Sequence, residues 1–367
     1  MTEGRSLRVA VLGCGYWGSK HARVLQSLES VETLVVVDAD AERVRRVCGS
    51  LPGAVGFTSL DEALDNIDAA VVATPPTTHA SMAMRLIEEG KHVLVEKPMA
   101  AESADARRMI AAAAARDVVL MAGHTFEYHS AVWMLREMVE GGDIGDLYYV
   151  DSARLNLGLY QSDVNVIYDL APHDISIFNH ILGSKPTSVH AWASRNAHPF
   201  LEDVAYLRLY YAEADVSANI HVSWLDPYKV RRVTVVGSQK MVVYDDLAAD
   251  ERIRVHDKGV IREQPNGDHT QPPMSYRYGD VISPYLTVNE PLMVEDQHFL
   301  DCVISGQRPK THGENGLAVV EVLEAAQRSL LEGRSITLAD PPEVTPQPAD
   351  TPIAAASALV MDGTHRA

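Results

Sequence analysis

The first third of the chain alternates short, continuously apolar runs with segments in which apolar residues recur at helical spacing. The apolar runs are LRVAVLG, TLVVVD, AAVVAT, HVLVE and VVLMAG. Strands that are apolar on both faces and joined through helices are typical of a parallel sheet covered on both sides. We therefore predict an α/β domain over residues 1–122.

After Gly123 the pattern changes to strict alternation of apolar and polar residues, as in SVHAWASR, DVAYLRLYY and VSANIHVSWL. Such segments indicate antiparallel strands with one buried face. The predicted helices of this part are Ile167–Leu182, Glu295–Ser305 and Gly313–Glu332. Residues 123–338 are therefore predicted to form an α+β domain with a mainly antiparallel sheet, residues 264–280 a long loop, and residues 339–367 a flexible tail.

Length and charge narrow the class of protein. A chain of 367 residues is too long for one ordinary core, which agrees with two domains. Its formal net charge of -18 would repel a phosphate backbone, so nucleic acid is not an expected partner. The same charge would mildly attract cationic small molecules, although solubility explains it equally well.

The chain shows no sign of export or of a membrane span. No apolar run reaches ~18 residues, and the short polar segment before Arg8 lacks a signal core. The three cysteines, Cys14, Cys48 and Cys302, have neither disulfide-framework nor zinc-site spacing. We expect a cytoplasmic protein without a bound metal.

Gly13, Gly15 and Gly18 form a G-x-G-x-x-G turn directly after a strand and before a helix. The first glycine permits a tight turn, the second lets the backbone approach a pyrophosphate, and the third lets helix and strand pack closely. This context predicts a dinucleotide site in a Rossmann-type domain, with Tyr16 and Trp17 beside the cofactor. The alternative is a glycine turn that merely links strand to helix.

Asp38 ends the next strand, 20 residues after Gly18. An acidic residue there accepts hydrogen bonds from the ribose hydroxyls and repels a 2′-phosphate. Asp40 adds to that repulsion, although it could equally be the N-cap of the next helix. The sequence therefore favours NAD over NADP.

Two further strands end in polar residues that would reach the same crevice, because ligands bind at the carboxyl ends of strands in open α/β sheets. The run AAVVAT ends at Thr74 and is followed by Pro75, with His79 in the next helix. The second ends at Glu96 and Lys97. The alternative for Lys97 is a surface lysine whose stem lies along the sheet edge.

Asp169 and His173 are four residues apart in the predicted helix and therefore share a face. Histidine is the side chain best suited to exchange a proton near neutral pH, which alcohol oxidation requires. The alternatives are a capping Asp169 and a core His173. A metal interpretation has no further ligand at suitable spacing.

These motifs, together with Gly123-His124 and in this order, resemble the Gfo/Idh/MocA oxidoreductase family over about residues 5 to 335. The resemblance implies that Lys97 holds a substrate hydroxyl near the nicotinamide, that His173 is the acid/base and that Asp169 supports both. It also implies a Rossmann domain plus a large open sheet that often forms homodimers or homotetramers.

The stretch 152–183 and the segment EPLMVEDQHFLDCVISGQRP resemble the branch of UDP-N-acetylglucosamine 3-dehydrogenases and antibiotic-sugar dehydrogenases. That branch implies an amino-sugar nucleotide or an aminoglycoside-type sugar oxidised at C3. The basic residues that could receive a diphosphate look scattered: Arg154, Arg195, Lys229, Arg231 and Arg232. The acidity of the chain suits a cationic sugar at least as well.

The residues expected to line the substrate pocket are Phe126, Tyr128, Arg154, Asn165 and Tyr168, with Tyr160 and Trp224 as rings that could stack on a sugar. Core packing is an equally good interpretation of each one singly. The main hypothesis is reversible oxidation of a ring secondary hydroxyl with hydride transfer to NAD. The alternatives are an NAD-retaining glycoside hydrolase and a non-catalytic NAD-binding regulator.

Overall fold

The computed structural model describes residues 6–158, 160–161, 163–262, 274–287 and 289–338. The predicted tail and residues 264–273 of the predicted loop lie outside the described residues. The rest of that loop prediction is wrong, because residues 274–280 belong to a strand. Within the described residues no helix is long and apolar enough to cross a bilayer.

The first sheet has six parallel strands within the described residues, in the order β3-β2-β1-β4-β5-β6. They are β1 (Leu7–Leu12), β2 (Val31–Val37), β3 (Val55–Phe57), β4 (Ala69–Val72), β5 (His92–Glu96) and β6 (Leu120–Gly123). The strand order reverses direction between β1 and β4, which opens a crevice at their carboxyl ends. The predicted doubly wound α/β architecture is confirmed.

Five helices connect these strands in the described part of the chain: α1 (Tyr16–Ser27), α2 (Ala41–Ser50), α3 (Leu60–Ala63), α4 (Pro76–Glu88) and α5 (Ser103–Arg116). Helix α1 begins directly after Gly15, three residues earlier than the prediction. Asp40 caps α2, since its side chain accepts hydrogen bonds from the N–H groups of Glu42 and Arg43.

The second sheet has nine strands within the described residues, in the order β14-β13-β12-β11-β7-β10-β9-β8-β15. They are β7 (Leu147–Leu157), β8 (Ser188–Ser194), β9 (Val204–Tyr211), β10 (Val216–Ser223), β11 (Leu225–Gly237), β12 (Met241–Asp245), β13 (Ile253–Arg262), β14 (Met274–Ile282) and β15 (Ile336–Thr337). Strand β10 pairs with β7 in parallel, and the other pairs run antiparallel. The mainly antiparallel second sheet is confirmed.

Four helices follow β6 in the described part of the chain: α6 (Ser130–Glu140), α7 (Val166–Leu182), α8 (Pro291–Ser305) and α9 (Gly313–Glu332). Helices α7 and α9 pack on one face, and their apolar residues share one core with the strands. The other face leaves Trp192, Tyr206 and Tyr210 exposed.

Helix α8 follows the second sheet in the chain but packs on the first. Phe299, Leu300 and Val303 belong to the same buried cluster as the side chains of β1. Helix α8 therefore returns to the Rossmann domain and forms part of its core.

Candidate functional site

The glycine turn has the geometry of a dinucleotide cradle. Gly13 has φ +93°, and a Cβ there would lie 2.6 Å from the carbonyl oxygen of Ala73, while a Cβ on Gly18 would overlap the carbonyl of Gly13. A Cβ on Gly15 would meet nothing within 4 Å, so open space lies over the start of α1. No side chain caps this helix, which leaves its first N–H groups for phosphate oxygens. The residues fit the diphosphate of NAD.

We expect Gly15→Ala to raise the dissociation constant for NAD about tenfold, equivalent to roughly 1.4 kcal/mol. The added methyl would occupy the space that the diphosphate needs. Thermal unfolding should change by less than about 1 kcal/mol, the usual scale for an N-cap substitution. Gly49→Ala is the matched control, since a Cβ there also meets nothing within 4 Å. Equal NAD affinity in both variants, measured by calorimetry, would exclude this cradle.

Asp38 lies at the end of β2 and supports the glycine turn. Its carboxylate accepts hydrogen bonds from the N–H of Cys14 at 2.7 Å and of Asp40 at 2.9 Å. Each oxygen keeps a further lone pair for a ribose hydroxyl. Arg43 lies 4.0 Å from this carboxylate, a neighbour that the sequence analysis did not consider. Burial raises the pKa of the Cys14 thiol to about 12, so this cysteine has a packing role.

His79 ties together the two loops that follow β4 and β5. Its ring nitrogens lie 2.8 Å from the carbonyl oxygens of Thr74 and Pro98. The imidazole is buried, and burial lowers its pKa. The contact with Pro98 fixes the backbone next to Lys97, so the structure gives His79 a structural task at the site.

Glu96 belongs to a buried charge network that joins α1, β5 and α8. His21 Nε2 lies 3.1 Å from Glu96 Oε1, and His21 Nδ1 lies 2.8 Å from Asp296 Oδ1. Burial lowers the pKa of His21, but Asp296 and Glu96 more than offset it and hold that pKa well above its ordinary value. His21 therefore bridges two buried carboxylates, and Glu96 also accepts a hydrogen bond from the backbone N–H of Lys97 at 2.9 Å.

Lys97 points to the start of α7. Its ammonium donates to the backbone carbonyl of Asp169 at 2.8 Å and lies 3.6 Å from Asp169 Oδ1. Trp224 Nε1 donates to the other carboxylate oxygen at 2.9 Å. Pro172 lies in the helix interior, past the first turn, and cannot complete the hydrogen-bond ladder there. Asp169 therefore holds Lys97, whereas no described contact joins Asp169 to the ring of His173.

His173 lies one turn further along α7 and lines the cleft. Burial lowers the pKa of His173 well below its ordinary value, and the cations Lys97 and Arg154 lower it further. Its Nδ1 has no hydrogen-bond partner in the described structure, and its ring packs edge-on against Phe126 at 5.0 Å. The lowered pKa favours the neutral imidazole of His173, which is the form that can accept a proton.

The cleft between the two sheets has a volume of about 420 Å³. Of the residues predicted from sequence, it brings together Tyr16, Trp17, Glu96, Phe126, Arg154 and His173. Arg154 is buried and forms a two-point ion pair with Asp174, at 2.8 and 3.1 Å. Its guanidinium also lies 4.6 Å from the centre of the Phe126 ring.

Three predicted substrate residues do not line this cleft. The buried Tyr128 hydroxyl lies 3.0 Å from Thr311 Oγ1. Asn165 caps α7 through the N–H of Tyr168 and donates to Glu202, and Tyr168 packs against the core. Trp224 is also buried, so its ring faces are not free to stack on a sugar.

Several residues that line the cleft were missed by sequence reasoning or taken as scattered: Lys20, His129, Lys229, Arg231, Asp246, Arg252 and Glu290. No local motif marks them. Strand pairing in the second sheet brings Lys229, Arg231, Asp246 and Arg252 together, whereas Lys20, His129 and Glu290 come from α1 and from the residues that precede α6 and α8. Among the described residues no group of three or more His, Cys, Asp or Glu side chains is arranged to hold a metal ion.

Comparison with known proteins agrees with the fold and the cofactor cradle. Residues 7–124 match the model of the oxidoreductase family with an NAD-binding Rossmann fold, and residues 132–243 match the GFO/IDH/MocA C-terminal domain. The chain belongs to the Gfo/Idh/MocA family of NAD-binding oxidoreductases. Its similar proteins are named as dehydrogenases of sugars and polyols.

Three relatives show the range of similarity. D-apiose dehydrogenase of Paraburkholderia graminis is 25% identical over 94% of each chain. UDP-N-acetylglucosamine 3-dehydrogenase of Acidithiobacillus ferrooxidans is 32% identical over 50% of this chain and 57% of its own. The structure of GenD2 from gentamicin A biosynthesis, solved with NAD, has 27% identity and a TM-score of 0.76 over 91% of this chain and 96% of that chain.

Proposed function

We propose that the protein oxidises a ring secondary hydroxyl of a sugar derivative to a ketone, reversibly, with NAD as the redox partner. The observation that carries this proposal is the position of His173, which lines the cleft together with Tyr16 and Trp17 of the glycine turn, one helical turn after the Asp169 carbonyl that holds Lys97. A base, an oxygen-binding cation and a nicotinamide site are the groups that alcohol oxidation requires. The relatives named as sugar dehydrogenases support the same reaction class.

In the proposed mechanism, His173 accepts the hydroxyl proton of the substrate. Lys97 binds the same oxygen and stabilises the negative charge that develops as the carbonyl forms. The glycine turn of Gly13, Gly15 and Gly18 would hold NAD, which would supply the acceptor for the hydride from the substrate carbon. Asp169 orients the Lys97 ammonium through its carbonyl and its carboxylate, and Trp224 holds that carboxylate in place.

For the substrate we propose an amino-sugar nucleotide or an aminoglycoside-type sugar, oxidised at C3. Two relatives favour these classes, UDP-N-acetylglucosamine 3-dehydrogenase and GenD2 from gentamicin A biosynthesis. The cleft volume of about 420 Å³ suits a sugar ring with substituents.

NADH formation should separate the proposal from its two alternatives. We expect the protein to produce NADH with at least one member of a panel of nucleotide sugars, cyclitols and aminoglycosides. Release of a free sugar without net NADH would instead identify an NAD-retaining glycoside hydrolase. Tight NAD binding without turnover of any panel member would favour the regulator and contradict the dehydrogenase.

A further inference from the structure

One wall of the cleft gathers cationic side chains from separate strands of the second sheet. Strand β11 provides Lys229 and Arg231, and Arg252 directly precedes β13. Arg231 lies opposite Arg154 of β7 in the strand register. Like charges at opposite positions repel each other unless other groups compensate them.

The carboxylates nearby do not neutralise this wall. Asp174 compensates Arg154 completely through its two-point ion pair. Asp246 is shared, at 3.2 Å from Arg231 and 4.0 Å from Arg252. Lys229 has no ion pair among the described residues, so the Lys229–Arg231–Arg252 group keeps an excess of positive charge next to a single carboxylate.

Two donors of this wall have their neighbouring carboxylate beyond hydrogen-bond distance, because Asp246 Oδ1 lies 3.9 Å from His129 Nε2 and 4.0 Å from Arg252 Nη1. His129 Nδ1 accepts the N–H of Ala131 at 3.0 Å, so a neutral ring carries its proton on Nε2. That Nε2 lies 2.9 Å from Arg252 Nη1, which is itself a donor. The Nε of Arg252 is buried and has no hydrogen-bond partner in the described structure. Arg252 Nη1 and His129 Nε2 are thus two adjacent donors, and Arg252 Nε is a third donor without a partner in the described structure. An anionic oxygen between them would accept their hydrogen bonds.

We propose that Lys229, Arg231 and Arg252, with His129, form a subsite for a phosphate or diphosphate group of the substrate. A multiply charged anion would supply the oxygens that these donors lack and balance their excess charge. The subsite lines the same cleft as His173, so the proposal rests on the proposed function and sharpens it. It selects a sugar phosphate or a nucleotide sugar over a cationic aminoglycoside, although the whole chain has a net charge of -18.

A titration of the NAD-saturated protein with inorganic pyrophosphate tests the subsite without any assumption about turnover. Saturation with NAD fills the glycine cradle, so that the probe reports only on the second anion site. We expect wild-type binding that weakens with added salt. Arg252→Gln and Lys229→Gln should each lower the affinity about tenfold, the loss expected for one charged donor.

Arg232→Gln is the matched control, because Arg232 is the next residue of β11 and does not line the cleft. It should bind pyrophosphate like the wild type. Lys229 is exposed, so its substitution tests the subsite even if an arginine variant folds poorly. No binding to the wild-type holoprotein, or equal affinity in all variants, would overturn the subsite.

Kinetics with an active substrate separate this proposal from the proposed function. For a sugar phosphate or nucleotide sugar, Arg252→Gln should raise KM about tenfold and lower kcat much less. Turnover of an aminoglycoside with an unchanged KM in Arg252→Gln would overturn the subsite and leave the dehydrogenase intact. Pyrophosphate binding without any dehydrogenase activity would support the subsite and overturn the proposed function.

Discussion

Replacing His173 with Asn should lower kcat for sugar oxidation by about 10²- to 10⁴-fold, the usual contribution of a general base. NAD binding should remain close to that of the wild type, because the glycine cradle lies on the other domain. His190→Asn, an exposed histidine of β8, is the control and should keep full activity. Full activity in His173→Asn would exclude this residue as the proton acceptor.

The pH dependence of the same reaction reports on Lys97. Burial and the nearby Lys97 ammonium lower the pKa of His173. Because the neutral form then persists below the ordinary histidine pKa of about 6.5, kcat/KM should fall only well below that pH. Lys97→Met removes a positive charge near His173, which should raise the pKa of His173. The acid limb of the kcat/KM profile should therefore move to a higher pH in the residual activity of this variant. An acid limb at the same pH in both proteins would contradict the coupling of Lys97 to His173.

Arg154→Met should lower the free energy of unfolding by about 3–5 kcal/mol. Both members of the Arg154–Asp174 pair are buried, with 7% and 2% of their side chains exposed. Removing the arginine leaves the carboxylate of Asp174 without compensation in the core under the cleft. Arg195→Met, which disrupts an ion pair with a 58% exposed arginine, is the control and should cost about 1 kcal/mol or less.

Chemical denaturation of a double-mutant cycle would measure this pair. Arg154→Met combined with Asp174→Leu removes both charges, and it should recover most of the stability lost in the single variant. A double variant that is as unstable as the sum of both single variants would show that the pair contributes packing rather than charge compensation.

The Rossmann domain could be predicted because its signals are local. The glycine spacing and the apolar strands are encoded in short segments, and so are the bounds of α9 in the second domain. Strand β3 was missed because it has three residues and Val55 is exposed. Strand β14 was assigned to a loop because nearby prolines and glycines outweighed the alternation of Met274, Tyr276 and Tyr278.

The candidate site could be predicted only in part. Lys97, Asp169 and His173 were found because a strand end and a four-residue spacing mark them. Asn165 and Tyr168 lie near them in the chain, but spacing cannot tell which face of a helix meets the cleft. Arg252 and Asp246 gave no signal, since only the pairing of β12 with β13 places them beside β11.

The return of α8 to the first sheet makes the nucleotide-binding domain part of the cleft wall. Glu290, Pro291 and Leu292 line the substrate cleft, yet their helix is anchored to α1 through Asp296 and His21. This rim of the cleft is therefore carried by the nucleotide-binding body. Under the proposed function, the substrate would therefore lie between one wall that belongs to the cofactor-binding body and another formed by β7, β11 and the start of β13.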